Sequence, residues 1–259
     1  MENVLNSFPV FLLVFTRVSA FFVTMPLLSY RTLPASYRIG FAFFLSFIMY
    51  STISIETMEI TGNYLLLIFK EASVGLLLGF IAYMMLSAVQ IAGGFIDFQM
   101  GFAIANVIDP QTGAQSPLIG QYLYMFALLF LLAVNGHHLI LDGVYYSYQF
   151  IPIDQLFLPF GDSNMIEYVI QSFSLMFMIA FQMAIPVIAS LFLVDVALGI
   201  VARTVPQLNI FVVGFPIKIA VSFLIIFIVL AVMFGVIQHI FETMLHVMRT
   251  VMEFMGGLR

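Results

Sequence analysis

From Gly93 to Gln121 the chain reads Gly93-Gly94-Phe95-Ile96-Asp97-Phe98-Gln99-Met100-Gly101-Phe102-Ala103-Ile104-Ala105-Asn106-Val107-Ile108-Asp109-Pro110-Gln111-Thr112-Gly113-Ala114-Gln115-Ser116-Pro117-Leu118-Ile119-Gly120-Gln121. The stretch holds five glycines, two prolines, two aspartates and several amides, and it lies between two strongly apolar segments. In hydrocarbon every unpaired N–H or C=O is costly, so irregular backbone at membrane depth is tolerated only where it is buried in protein or lines a polar cavity. The rest of the chain is therefore read as a scaffold around this segment.

Composition sets the class. Of 259 residues 63% are hydrophobic and 8% charged, with a mean hydropathy of +1.14. Soluble domains run at roughly 45–50% apolar and about 25% charged, which excludes an ordinary water-soluble globule. No run of ordinary polar composition is long enough to hide a soluble domain, so residues 1–259 read as one domain. The net charge of −5 comes from thirteen acids and eight bases scattered singly. That leaves no basic patch for nucleic acid and no polybasic cluster for lipid headgroups. Cysteine is absent, which removes disulfides, thiolate metal sites and thiol catalysis. The first apolar run has no charged leader and no Ala-x-Ala site after it, so Met1–Pro26 is expected to be a retained segment.

Taken in order, Phe8–Leu28 is apolar except for Arg17, whose charge must meet protein, water or a carboxylate. Tyr30–Arg38 reads as a short basic loop, Ile39–Ile55 as a second apolar segment and Glu56–Asn63 as an acidic turn. Tyr64–Ile91 is a third segment, with Lys70 and Glu71 adjacent. Neighbours point about 100° apart on a helix and do not pair well, so one is expected to snorkel and the other to bond another helix. Tyr122–Leu141 is a fourth segment, ending in Asn135-Gly136-His137-His138, and Asp142–Asn164 reads as an extended acidic loop. Met165–Val194 is a fifth, bent at Pro186. Asp195–Pro216 reads as a second irregular region and Ile217–Ile237 as a sixth segment.

The tail differs. Between Gln238 and Met255, together with Ile237 just before, the residues Ile240, Phe241, Met244, Leu245, Met248, Val251, Met252 and Met255 fall on one helical face, suited to a partner helix or a membrane surface. Six apolar segments give six crossings, with Arg31, Arg38, Arg203 and Lys218 on the cytoplasmic side.

Catalytic and metal chemistry find little support. His137, His138 and Asp142 are too few for a metal cluster, and Asp97 with Asp142 matches no aspartyl protease pattern. There is no Ser-His arrangement and no phosphate-binding glycine loop. No enzyme activity and no cofactor are expected. Paired interruptions of apolar segments, at 93–121 and 195–216, are also the mark of a secondary transporter's substrate site, and that reading stands as the alternative.

Three stretches carry a resemblance: Gly101 through Asp109-Pro110, then Asn135-Gly136-His137-His138, then Arg203-Thr204-Val205-Pro206-Gln207-Leu208-Asn209-Ile210-Phe211-Val212-Val213-Gly214-Phe215-Pro216. Across nearly its whole length the chain resembles the FliR family of flagellar export-gate proteins, with their SctT relatives in virulence type III secretion. The Arg203-Thr204-x-Pro206-Gln207-x-Asn209-x-Phe211 run is the most specific part. Several members carry an acid where Gly94 stands, so no role resting on that acid carries over.

The resemblance implies an all-α fold of membrane-associated helical hairpins with broken helices and a central plug loop. It implies a subunit that joins five copies of the P component and four of the Q component in the bacterial inner membrane, within the flagellar basal body. The B component wraps the cytoplasmic mouth, and unfolded flagellar proteins are the substrates. Much of the gate stands above the bilayer, so not every apolar hairpin need cross lipid.

The residues then sort into three sets. By composition Asp109, Pro110, Gln111, Thr112, Gly113, Ala114, Gln115, Ser116, Pro117 and Gly120 suit either a solvated connecting loop or a mobile plug, and the resemblance implies the plug. Gly93, Gly94 and Gly101, on a helix expected to run to Val107, suit close backbone packing. Asp97 is either a channel or partner contact or a helix cap. Arg203, Pro206, Gln207 and Asn209 suit a constriction or docking loop, or else a re-entrant turn in which Arg203 meets Asp195.

Overall fold

The computed structural model of the protein describes residues 2–29, 33–53, 62–102, 117–159, 161–205, 207 and 209–257. Seven long helices carry those residues: α1 (Glu2–Thr24), α2 (Ala35–Thr52), α3 (Tyr64–Met100), α4 (Leu118–Ala133), α5 (Gly136–Phe150), α6 (Ser163–Thr204) and α7 (Ile210–Met255). No strand occurs among the described residues. The fold is all-α, as the sequence leads one to expect. Most of the acidic turn at Glu56–Asn63, Asp109–Ser116 of the glycine-rich stretch, and Pro206 lie outside the described residues.

The helices are longer than the apolar runs suggest, and several expectations are corrected. Asp195–Pro216 is not an irregular region, because α6 continues to Thr204 and α7 begins at Ile210. A single Gly199 costs a helix only about 1 kcal/mol, and Asp195 has partners that let it stay in place. Pro186 and Pro216 both sit inside helices. The tail is not a separate helix but the end of α7. Its apolar face is buried within the chain itself, at Met244, Met248, Val251, Met252 and Met255.

The acidic stretch after Asp142 is also largely helical. Asn135 adopts a left-handed conformation, with φ 57°, which an L-residue other than Asn or Asp rarely takes. That breaks the helix and starts α5, whose buried Ile140, Val144, Ser147 and Tyr148 follow a helical period. Among the described residues the irregular connection is confined to 151–159, 161 and 162. In the same way α3 runs through Gly93 and Gly94 and ends at Met100; Phe102 is again helical, and the rest of the expected stretch up to Val107 lies outside the described residues. Gly101, with φ +91°, donates to the carbonyls of Asp97 and Phe98, each at 3.1 Å, an ending that favours glycine.

The chain gathers into two compact units. The first comprises Met1–Met85, Val134–Phe173 and Glu242–Arg259, and the second Leu86–Ala133 and Ser174–Phe241. In the first unit α1 and α2 pair antiparallel through rings: Phe11 meets Phe43 at 5.3 Å, and Phe22 stacks on Phe41 at 5.3 Å. Gly75 and Gly79 bring α3 against α1 so closely that a Cβ at Gly79 would lie 2.7 Å from the Phe21 carbonyl. Small residues four apart permit such a crossing.

A charged network closes the first unit. Arg17 is fully buried and donates to Glu71 (Nη2 to Oε1, 2.9 Å), to Ser147 Oγ at 2.9 Å and to the Ile151 carbonyl at 3.0 Å. It also lies 4.0 Å from the Tyr148 ring. Lys70 does not snorkel: it is buried, pairs with Glu71 and donates to the carbonyls of Pro152 and Ile153 at 2.9 and 3.1 Å. The adjacent pair forms because Glu71 is shared with Arg17, which fixes the carboxylate where Lys70 can bend to it.

Among the described residues three helices are long and apolar enough to cross a membrane, Tyr64–Met100, Ser163–Thr204 and Val212–Met255. The number is four if α4 and α5 count as one broken span. By this measure the six crossings are not reached, since α1 offers only the shorter apolar stretch Phe8–Thr24.

Candidate functional site

The second unit holds both ends of the glycine-rich stretch. On its entry side α3 delivers Gly93, Gly94, Asp97, Gln99 and then Gly101; on its exit side Pro117 leads into α4. The carboxylate of Asp97, only 3% exposed, accepts from the Ile119 amide at 3.0 and 3.2 Å and from the Gly120 amide at 3.4 Å. The first amides of a helix have no partner in their own helix. A residue on one helix therefore caps the start of the next across the gap that residues 103–116 span in sequence.

Backbone approach tightens the same junction. A Cβ on Gly93 would lie 2.5 Å from the Gly120 nitrogen, and one on Gly120 would lie 2.8 Å from the Gln90 carbonyl oxygen. Neither obstacle is a side chain that can swing aside. Gly94 is different, since a Cβ there would meet the Pro117 ring at 3.5 Å, an ordinary contact. Gly101 faces the Phe215 ring of α7, which a Cβ would meet at 2.9 Å.

Beside this cradle is a polar cluster that the sequence reading does not anticipate. Asp195 on α6 pairs with Lys218 on α7, the nitrogen lying 2.8 and 3.0 Å from its two oxygens, and it accepts from Gln99 Nε2 at 2.9 Å. Arg203 does not meet Asp195. The two are eight residues apart on one helix, about 12 Å along the axis, and the carboxylate is already occupied. Arg203 and Gln207 are exposed, and the Asn209 carbonyl accepts from the amides of Val212 and Val213 at the start of α7.

The predicted residues thus divide. Gly93, Asp97, Pro117 and Gly120 come together with Gly94 and, one turn on, Gly101. Arg203, Gln207 and Asn209 lie at the α6–α7 turn. The signal for Asp195 and Lys218 is an acid and a base set in long apolar stretches of α6 and α7, a situation that demands a partner.

Residues 8–244 match the family described as bacterial export proteins, family 1. The chain belongs to that family. It is 61% identical over 257 residues to the flagellar biosynthetic protein FliR of Bacillus subtilis, with 99% of each chain covered. Over 207 residues it is 31% identical to the FliR of Escherichia coli, covering 80% of this chain and 78% of that one. The Yop proteins translocation protein T of Yersinia pestis is 30% identical over 219 residues, with 83% and 84% covered. As a member of the bacterial export proteins, the chain is a component of a type III export apparatus, a membrane protein of flagellum biogenesis.

Proposed function

We propose that the chain is a structural and gating subunit of the flagellar export gate. In this reading the whole chain acts as one export-gate domain in the bacterial inner membrane. It assembles with P and Q components into a channel for unfolded flagellar proteins, with the B component at the cytoplasmic mouth. Its part is non-catalytic: it completes the wall and supplies residues Asp109–Gly120 as the obstruction of the resting pore.

The observation that carries the reading is the cradle. A segment that closes a pore needs ends that do not wander, and here Asp97 and the Gly93–Gly120 approach hold entry and exit together. Between those ends Pro110, Gly113 and the polar side chains of Gln111, Thr112, Gln115 and Ser116 disfavour a continuous helix, and irregular backbone at membrane depth belongs in protein or beside a polar cavity. The secondary-transporter alternative is the weaker reading, because its second broken segment shrinks from 195–216 to the short connection between Thr204, the end of α6, and Ile210, the start of α7.

Native mass spectrometry of the detergent-extracted complex tests the assembly. One 29.1 kDa copy of the chain with several P and Q chains is the expected result. A monomer or small homo-oligomer that binds a solute would contradict it.

A further inference from the structure

Singly exposed apolar side chains are ordinary on a protein surface, and on long apolar helices lipid or a neighbouring helix accounts for them. Phe157 stands off the helices, in the connection from α5 to α6, and is 79% exposed. Outside the helices, among the described residues, the next most exposed large apolar side chains are Val134 and Val205 at 45% and 43%. Leu156 and Leu158 beside the ring are half-buried. Whether such a ring can serve as an anchor depends on what holds the connection.

The buried charges of the first unit hold it. Arg17 and Lys70 are two cations against the single carboxylate of Glu71, and three successive carbonyls meet the surplus. Ile151 accepts from Arg17 at 3.0 Å, and Pro152 and Ile153 accept from Lys70 at 2.9 and 3.1 Å. Lifting the connection away would leave buried cations short of acceptors, which is costly. The side chains of Ile151 and Ile153 are buried as well. Nearer the ring, Gln155 Nε2 donates to the carbonyl of Phe157 itself at 3.0 Å and to that of Met255 at 3.1 Å, which ties the segment to the end of α7. Beyond the ring, the Asp162 amide donates to the Pro159 carbonyl at 3.0 Å, and Asp162 Oδ1 accepts from the Asn164 amide at 2.9 Å where α6 begins. Phe157 is thus exposed on backbone fixed on both sides, and a preset anchor loses little freedom on binding.

Charge selects the occupant. Asp154 before the ring and Glu167 after it are exposed, Asp162 is half-buried, and no Lys or Arg occurs between Lys70 and Arg203. The two cations packed beneath the connection are buried, and Arg249 on α7 is paired with Glu253 at 3.2 Å. An anionic bilayer surface attracts bases, not acids, and a second copy of this chain would bring the same acids to the contact. We propose that Phe157 is a preset docking anchor for a partner protein that offers an apolar pocket for one aromatic ring, rimmed by Lys or Arg. The inference goes beyond the gating role and holds whether or not Asp109–Gly120 closes the pore.

The test is site-specific photo-cross-linking in cells that assemble the export apparatus, with benzoylphenylalanine at Leu158 and Phe157 left native. Mass spectrometry of the adduct is expected to show one partner protein, joined at an apolar segment flanked by Lys or Arg. Phe157→Ala is expected to lower the yield about tenfold, and Phe157→Tyr to keep it. Asp154→Lys is expected to lower it about fivefold by reversing the complementary charge, and Gln155→Leu about threefold by freeing the backbone that presents the ring. Thermal unfolding of each variant, purified alone, is expected to stay close to wild type, since Phe157 and Asp154 are exposed. An adduct with lipid or with a second copy of this chain overturns the proposal, as does the absence of any adduct. So does a protein adduct whose yield ignores Phe157→Ala or Asp154→Lys. Should Gln155→Leu unfold the chain, those two exposed substitutions decide alone.

Discussion

Replacing Glu71 by Gln removes the anion in a buried group of three charges. Arg17 and Glu71 are fully buried and Lys70 nearly so, and the substitution leaves a guanidinium and an ammonium facing each other. Removing one partner of a buried ion pair costs about 3–5 kcal/mol. Arg17 keeps Ser147, the Ile151 carbonyl and the Tyr148 ring, and Lys70 keeps the carbonyls of Pro152 and Ile153, which places the cost near the lower end, about 3 kcal/mol. For a chain of this size 1 kcal/mol moves Tm by about 2–4 °C, so a loss of about 6–12 °C is expected. The triple variant Arg17→Met, Lys70→Met, Glu71→Gln removes every charge and should recover most of that loss, because apolar replacement of a whole buried network is often neutral. The assay is thermal unfolding of the detergent-solubilised protein, wild type against single and triple variants. A Glu71→Gln protein as stable as wild type, or a triple variant less stable than the single, would refute the reasoning.

Neighbouring glycines should behave oppositely: Gly93→Ala meets the backbone of Gly120 and should lose about 2–3 kcal/mol by overpacking, whereas Gly94→Ala has room and should gain about 0.5–1 kcal/mol in its helix. Thermal unfolding of the two variants side by side gives the comparison, and equal shifts would contradict the geometry at Gly93. Asp97→Ala removes the cap of α4 and should cost about 1–2 kcal/mol, while Asp97→Asn keeps an acceptor oxygen and should recover about half. Protection of the Ile119 and Gly120 amides from hydrogen exchange reads this directly, and unchanged protection in Asp97→Ala would show that the carboxylate is not their partner.

Much of the architecture is legible because apolar runs of this length leave few alternatives to helix. The misreading of 195–216 has a simple cause: Asp195, Gly199 and Pro216 are each compatible with a helix that continues through them. Asp195 stays in α6 because Lys218 and Gln99 satisfy it, and nothing local in the sequence names those partners. The reverse error occurs at Asn135, where an Asn-Gly pair marks a break and Ile140, Val144 and Tyr148 already show the period of a new helix. For the site, the glycines and Asp97 stand out within one short stretch. The role of Asp97 as a cap on α4, twenty-two residues later, depends on how α3 and α4 approach, which no local pattern encodes. Arg17 and Glu71 are detectable only as unpaired opposites in two apolar segments.

The central claim is that residues between the two fixed ends close a pore. Ionic conductance of the purified complex in a planar bilayer, with and without Asp109–Ser116, tests it most directly, since Asp97, Pro117 and Gly120 stay in place. The account predicts silence for the intact complex and a sustained conductance for the deletion, with the same subunit composition by mass. A correctly assembled deletion complex that remains silent would contradict it.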